Sequence, residues 1–284
     1  MILVTGATGH TGSRLVRRLL EGKHQVRAFV RTKERASFLP GRGEEIFNGD
    51  LENPDDLKRA LEGVRAVYNI AHIRFADNVC AACEAAGVRR AIFMSSTRKF
   101  TRFPCVSSRQ VEDGEQRIMA SGLDYTIIRP SMIYGGERDN NMTKLVAVLR
   151  RWPVFPLFGG GANLVQPIFV WDLVHILASC LDHSKMIRSD FTVAGPKAIT
   201  YREMVATICR VMGRRRLLVP LPMGLGLGAA WLYEKLSSRP RVTVEQVRRL
   251  QEDKAFDISP IKKALDFVPI SFEEGIRRKL SGAV

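Results

Sequence analysis

Near the start of this 284-residue chain, Thr5-Gly6-Ala7-Thr8-Gly9-His10-Thr11-Gly12 sets three glycines at GxxGxxG spacing. Residues of these types in this order suit phosphate binding. Glycine lets the backbone turn tightly and approach a pyrophosphate, while the free N–H groups and positive end of a following helix stabilise its charge. The context agrees: the apolar run Ile2-Leu3-Val4 precedes the motif, and Leu15, Val16, Leu19 and Leu20 follow at helical spacing. Strand, glycine turn and helix together predict that Gly6, Thr8, Gly9, His10, Thr11 and Gly12 hold a dinucleotide.

The end of the second strand should then choose between cofactors. An acidic residue there would bond the adenosine ribose hydroxyls, whereas an arginine pairs with a 2′-phosphate. The stretch reads Ala28-Phe29-Val30-Arg31-Thr32-Lys33, without a carboxylate, and Arg31 can grip a phosphate bidentately with Thr32 and Lys33 nearby. NADP(H) is therefore expected ahead of NAD(H), although NAD(H) still fits. Asp50 and Leu51 after the third strand fall where an adenine would lie, and Ala71 after the fourth falls beside the pyrophosphate and ribose. His72 closes that strand as a lone histidine, more readily structural than catalytic.

These groups need an alternating scaffold, and the apolar periodicity supplies one. Strands are predicted at 25–30, 45–47, 66–70, 91–94 and 124–128, with helices near 33–38, 54–61, 78–86 and 111–120 between them. That alternation implies parallel crossovers and an α/β, doubly wound parallel sheet of Rossmann type over residues 1–130. Beyond Pro130 the rhythm breaks at Pro153, Pro156 and Gly159-Gly160-Gly161, which predicts a smaller substrate lobe over 131–284. A strand near 191–193 is expected to return to the core. The tail is expected to mix helices at 201–212, 244–250 and 273–280 with loops marked by Pro220, Pro240, Pro260 and Pro269.

Composition narrows the class. With 45% apolar and 26% charged residues the chain has the make-up of a globular protein, which excludes intrinsic disorder and a disulfide scaffold. Five scattered cysteines argue for a reducing compartment, and Met1-Ile2-Leu3-Val4 leaves no room for a signal peptide, so a cytoplasmic protein is expected.

Several fragments, read in order, resemble the short-chain dehydrogenase/reductase superfamily, in its extended and atypical branches. They are the glycine motif, Gly49-Asp50-Leu51, Ser95-Ser96, Arg129-Pro130 with Ile133-Tyr134-Gly135, Pro167-Ile168-Phe169-Val170-Trp171-Asp172, and Phe191-Thr192-Val193-Ala194-Gly195. The resemblance implies that Ser96 orients the substrate carbonyl or hydroxyl and that Pro130, Ser131 and Ile133 lie against a nicotinamide. It also exposes a departure. The superfamily's acid/base is a tyrosine with a lysine four residues on; taking Glu115 as the helix glutamate of similar proteins, those places hold Ser107 and Val111.

The missing pair would contribute about 10²–10⁴-fold through proton transfer. Alcohol dehydrogenation and tyrosine-dependent epimerisation both lose their acid/base, whereas a quinone or conjugated acceptor can take its proton from water. The chain is similar to the atypical subset of quinone and dye reductases, nitrogen-regulator-type cofactor sensors and the accessory subunit of respiratory complex I. Hydride transfer to a quinone-like or conjugated acceptor is expected. The alternatives are a non-catalytic cofactor-binding sensor or assembly factor, and a sugar-nucleotide epimerase or dehydratase with another acid/base.

Cys80-Ala81-Ala82-Cys83 is a CxxC inside a predicted helix with no second Cys or His pair, so no metal site is expected. The net charge of +15 is concentrated at Arg14, Arg17 and Arg18, at Arg150-Arg151, and at Arg210 with Arg214-Arg215-Arg216. No groove-reading helix or aromatic platform accompanies these clusters, so nucleic acid is not an expected partner. Arg214 to Arg216 lead into the apolar run Leu217 to Leu232, with Trp231, Tyr233 and Lys235 at its far end. Segment 214–235 has the make-up of a peripheral contact with anionic lipid; the same leucines would also serve to cap the substrate lobe. The run is too short and too rich in proline and glycine to span a bilayer.

Overall fold

The computed structural model describes residues 1–39, 41, 43–136, 139–237 and 243–282. The Pro240 loop and the Lys33 side chain lie outside what is described. In the first half, β1 (Ile2–Thr5), α1 (His10–Glu21), β2 (Val26–Val30), β3 (Glu45–Asn48), α2 (Pro54–Ala60), β4 (Ala66–Asn69), α3 (Ala76–Ala86), β5 (Arg90–Met94), α4 (Val106–Met119) and β6 (Asp124–Pro130) follow in turn. The second half opens with β7 (Ile133–Tyr134), α5 (Asn140–Arg151), β8 (Val154–Phe158), β9 (Leu164–Val165), β10 (Ile168–Phe169) and α6 (Val170–Ser179). It continues through β11 (Ser189–Val193), β12 (Ile199–Thr200), α7 (Tyr201–Val211), β13 (Leu217–Leu221), α8 (Met223–Leu236), α9 (Val244–Arg248), α10 (Ser259–Leu265) and α11 (Phe272–Ser281).

Seven strands of the described residues form one parallel sheet in the order β11-β6-β5-β4-β1-β2-β3. The central strands β1 and β4 are buried on both faces because helices cover each face, whereas the edge strand β3 is largely exposed. Successive side chains point to opposite faces. Val4, Tyr68, Ile92 and Ile128 therefore meet Leu15, Val16 and Leu19 of α1 and Leu173, Ile176 and Leu177 of α6. Leu3, Val67, Phe93 and Ile127 meet Val79, Cys80 and Cys83 of α3 and Val111 and Ile118 of α4.

Local chemistry sets the helix ends. The Asn53 side chain accepts from Asp55 N–H ahead of Pro54 at the first position of α2. The Asp139 carboxylate caps α5 through the N–H groups of Asn141 and Met142, and Thr200 with Glu203 forms a capping box on α7.

Several elements differ from the sequence expectations. Residues 33–38 form a 3₁₀ helix, and the expected helix over 244–250 divides into α9 and a 3₁₀ turn at Arg249–Gln251. The helix expected from Val111 begins at Val106, where Ser108 closes onto the backbone N–H of Cys105. Residues 217–232 split at Pro222 into β13, paired with β8, and the start of α8. The division at residue 130 separates the sequence but not the layers. β11 joins β6 along its whole length, and α6 and Ile261 of α10 pack into the core beside α1. Each fully buried leucine or isoleucine of α6 stabilises that join by about 1.5–3 kcal/mol.

Candidate functional site

The sheet order reverses between β1 and β4, and the crevice at such a switch point is where open α/β sheets bind ligands. A buried hydrogen bond of 2.6 Å from Thr5 Oγ1 to Asn69 Oδ1 ties the two strand ends together. Gly6 follows at φ 63°, and a Cβ there would sit 2.7 Å from the Ala71 nitrogen. At Gly12 a Cβ would come within 2.1 Å of the Gly6 carbonyl oxygen, so only glycine lets α1 start this close to the turn. Gly9, the N-cap, lacks a side chain that could cap α1, and the first turn carries no acidic residue. The bare helix end, the close turn and the neighbouring strand end fit a dinucleotide pyrophosphate.

A cavity of about 450 Å³ opens here, lined by Gly6, Thr8, Gly9, Arg31, Asp50, Leu51 and Ala71. Arg31 is exposed, and its guanidinium has no hydrogen-bond or ion-pair partner among the described residues. The Asp50 carboxylate also closes its own loop by accepting from Glu52 N–H at 2.9 Å. His10, Thr11 and Gly12 form the first turn of α1 outside this lining; Thr11 and Gly12 are buried, and His10 Nδ1 lies 3.4 Å from Arg14 Nη1. His72 lines the cavity, where its Nδ1 accepts from Arg74 N–H at 3.2 Å. Burial, with Arg74 and Arg98 nearby, holds the His72 pKa below its ordinary value. Arg74 and Gln110 also line the cavity. No sequence motif announced either, because they arrive from the turn before α3 and the first turns of α4.

A second cavity, of about 840 Å³, lies at the carboxyl ends of β5 and β6 and brings together Ser96, Pro130, Ser131 and Ile133. Ser96 Oγ accepts from Arg98 N–H at 3.1 Å, which orients its hydroxyl. Ser131 donates to the Gln166 carbonyl at 2.5 Å. The outer wall is a strap over residues 249–257 that sequence reasoning left without a role. Its buried Glu252 accepts from Thr101 Oγ1 and Arg102 N–H, each at 2.6 Å, closing the strap onto the loop after β5. Lys254 lines the same wall; burial, reinforced by Arg249, lowers its pKa.

The region of the absent acid/base pair is fully engaged in other ways. Val111 is 2% exposed and belongs to the core. Ser107 Oγ accepts from Arg98 Nη1 at 2.5 Å and lies 3.1 Å from Cys105 Sγ. Glu115, 1% exposed, receives Ser95 Oγ at 2.5 Å and Lys99 Nζ at 2.6 Å as well as the Arg129 guanidinium. Burial opposes its ionisation, but Arg129, Lys99 and Ser95 together hold the carboxyl below the usual range. Cys80 and Cys83 lie buried in α3, where burial pushes both thiols up to about 12. They behave as small core residues.

Comparison with known proteins agrees with this geometry. A family described as NAD(P)H-binding matches residues 6–148. A (4-alkanoyl-5-oxo-2,5-dihydrofuran-3-yl)methyl phosphate reductase from Streptomyces griseus is 31% identical, with 75% of this chain and 74% of that protein aligned. A 2-alkyl-3-oxoalkanoate reductase from Stenotrophomonas maltophilia is 26% identical over 98% of this chain and 97% of the relative. An NADPH-dependent quinone oxidoreductase from Escherichia coli superposes with a TM-score of 0.75 at 22% identity, covering 97% of this chain and 98% of the other, a likeness of fold alone. With the glycine turn at the β1/β4 switch, these matches show that the chain belongs to the NAD(P)H-binding family.

Proposed function

We propose that this protein is an NADP(H)-dependent reductase that transfers hydride to a quinone-like or conjugated acceptor. The observation that carries the reading is the pairing of a tight glycine turn at the β1/β4 switch with Val111 in the core and Ser107 bonded to Arg98. A bound reduced nicotinamide supplies the hydride. Gly6, Gly9 and the bare end of α1 hold the pyrophosphate, while Pro130, Ser131 and Ile133 form the wall against which the reacting ring is oriented. Ser96 donates to the acceptor oxygen. Neither Ser107 nor Val111 can exchange a proton near neutral pH, so the anion left by hydride transfer, a hydroquinone anion or an enolate, takes its proton from water.

Arg31 supports NADP(H) over NAD(H), being an exposed guanidinium at the end of β2 facing the adenosine side. The reductase names of the Streptomyces and Stenotrophomonas relatives support the reaction class.

The test is turnover, read as loss of reduced-nicotinamide absorbance, with quinones, conjugated enones, simple ketones and sugar nucleotides offered separately. Oxidation by quinones or enones with little by simple ketones is expected. Efficient reduction of simple ketones, or conversion of sugar nucleotides without net cofactor oxidation, would overturn the proposal. Tight NADPH binding with no turnover of any acceptor would favour a cofactor-binding sensor or assembly factor.

A further inference from the structure

We propose that α8 and the β8/β13 ribbon dock on an anionic lipid surface. Of the fourteen residues of α8, Gly226 and Ala230 are buried, and Met223, Leu227 and Glu234 complete the side that packs on the protein. The outward stripe is Leu225, Ala229, Leu232 and Leu236, at i, i+4, i+7 and i+11. Leu225, Leu232 and Leu236 are 60%, 52% and 78% exposed. This inverts an ordinary surface helix, whose apolar stripe faces the core. Trp231, itself 54% exposed, lies beside the stripe with Lys235 Nζ 4.6 Å from its ring centre.

The ribbon that feeds α8 carries the matching charge. Arg214 and Arg216 donate to carbonyls of Arg150 and Leu149 at the end of α5, which gathers Arg150, Arg151, Arg214, Arg215 and Arg216 at one corner. All but Arg216 are exposed. Among them stand Trp152 and the register partners Val154 and Leu217, 56%, 47% and 64% exposed. Exposed tryptophan and leucine ringed by arginine and lysine match the headgroup boundary of an acidic bilayer.

A second copy of this chain would bring the arginine corners and the net charge of +15 together, so self-association is opposed. A helix of this length falls well short of the ~20 residues that span a bilayer, and among the described residues no helix is long and apolar enough to cross one. The segment therefore lies on the surface. α8 packs on α9, which leads into Arg249 and Leu250 on the wall of the larger cavity, so the docked face stands one short helix from the cleft.

The inference is independent of the proposed reaction, and its test reads binding alone. The purified full chain is floated with vesicles of phosphatidylcholine and phosphatidylglycerol at 3:1, and with pure phosphatidylcholine, at low and high salt. Flotation with the acidic vesicles, at least tenfold weaker on pure phosphatidylcholine and weakened by salt, is expected. Leu232→Asp with Leu236→Asp, and separately Arg214→Glu with Arg215→Glu, should each lower flotation tenfold or more. Both alter exposed positions, and unchanged melting and NADPH affinity would show that the variants fold. No flotation on acidic vesicles at low salt would overturn the proposal. So would wild-type flotation of the leucine variant, or a wild-type dimer in sedimentation that the leucine variant dissolves.

Discussion

The Glu115 carboxylate on α4 accepts two hydrogen bonds from the Arg129 guanidinium on β6, at 2.6 and 2.8 Å, with both side chains buried. Asp190 on β11 takes another guanidinium nitrogen of Arg129, so this one arginine of β6 joins α4 to the edge strand β11. Ser95, just past β5, and Lys99, in the 3₁₀ turn that follows, complete the cluster and hold the chain on either side of Ser96. In place of a proton relay, this corner holds a satisfied ionic network that positions the cleft wall.

Glu115→Gln should cost about 3–5 kcal/mol, since it leaves the buried Arg129 guanidinium with only the part-exposed Asp190 as counter-charge and takes the partner from the half-buried Lys99 ammonium. Chemical denaturation measures it, and a loss below about 1 kcal/mol would contradict the role. The pH dependence has a definite sign. The folded pKa of Glu115 is depressed, so its stabilisation is present above the unfolded value of about 4.3 and fades as pH falls through the folded value. Wild-type stability should therefore drop more steeply than that of Glu115→Gln on acidification below about pH 4.5.

Restoring the superfamily pair by Ser107→Tyr with Val111→Lys should fail. Position 111 lies in the core between α4 and the sheet, where an ammonium loses its hydration, so the double variant should melt lower and gain no alcohol dehydrogenase activity. A stable variant that oxidises simple alcohols would refute this.

Arg31→Ala should weaken NADPH by about 1.5–3 kcal/mol, roughly 10–100-fold, and leave NADH nearly unchanged. Calorimetric titration with each cofactor decides the matter, and equal losses for both would remove Arg31 from a 2′-phosphate role.

Gly12→Ala should abolish binding of both cofactors, because the new Cβ would meet the Gly6 carbonyl oxygen at 2.1 Å and push α1 away from the turn. Near-normal NADPH affinity in this variant would show that the cradle tolerates displacement.

Glu252→Ala should release the strap from the loop at Thr101 and Arg102. Faster amide exchange at residues 101–103 and 249–257 is expected, together with a raised KM for the acceptor and unchanged cofactor affinity. Exchange indistinguishable from wild type would show that the strap is held elsewhere.

The amino-acid sequence alone determined the parallel sheet and the glycine turn ahead of α1. Apolar periodicity and the GxxGxxG spacing act over short stretches of chain, where spacing converts directly into geometry. The missing Tyr–Lys pair shows only through the resemblance, in which Glu115 stands for the helix glutamate of similar proteins and Ser107 and Val111 fall at the places of the pair. Tertiary structure alone decided the rest. Arg74 and Gln110 reach the cofactor cavity, and Glu252 seals the cleft against a loop about 150 residues earlier, through contacts that no local pattern encodes. The same holds for α6 and β11, which return from the second half of the chain because the first half leaves one sheet face and one edge uncovered. In the sequence the leucines of α8 read first as a cap on the substrate lobe, with a lipid-facing surface as the alternative. Only packing, which buries Gly226 and Ala230 and leaves Leu225, Leu232 and Leu236 outside, set their direction.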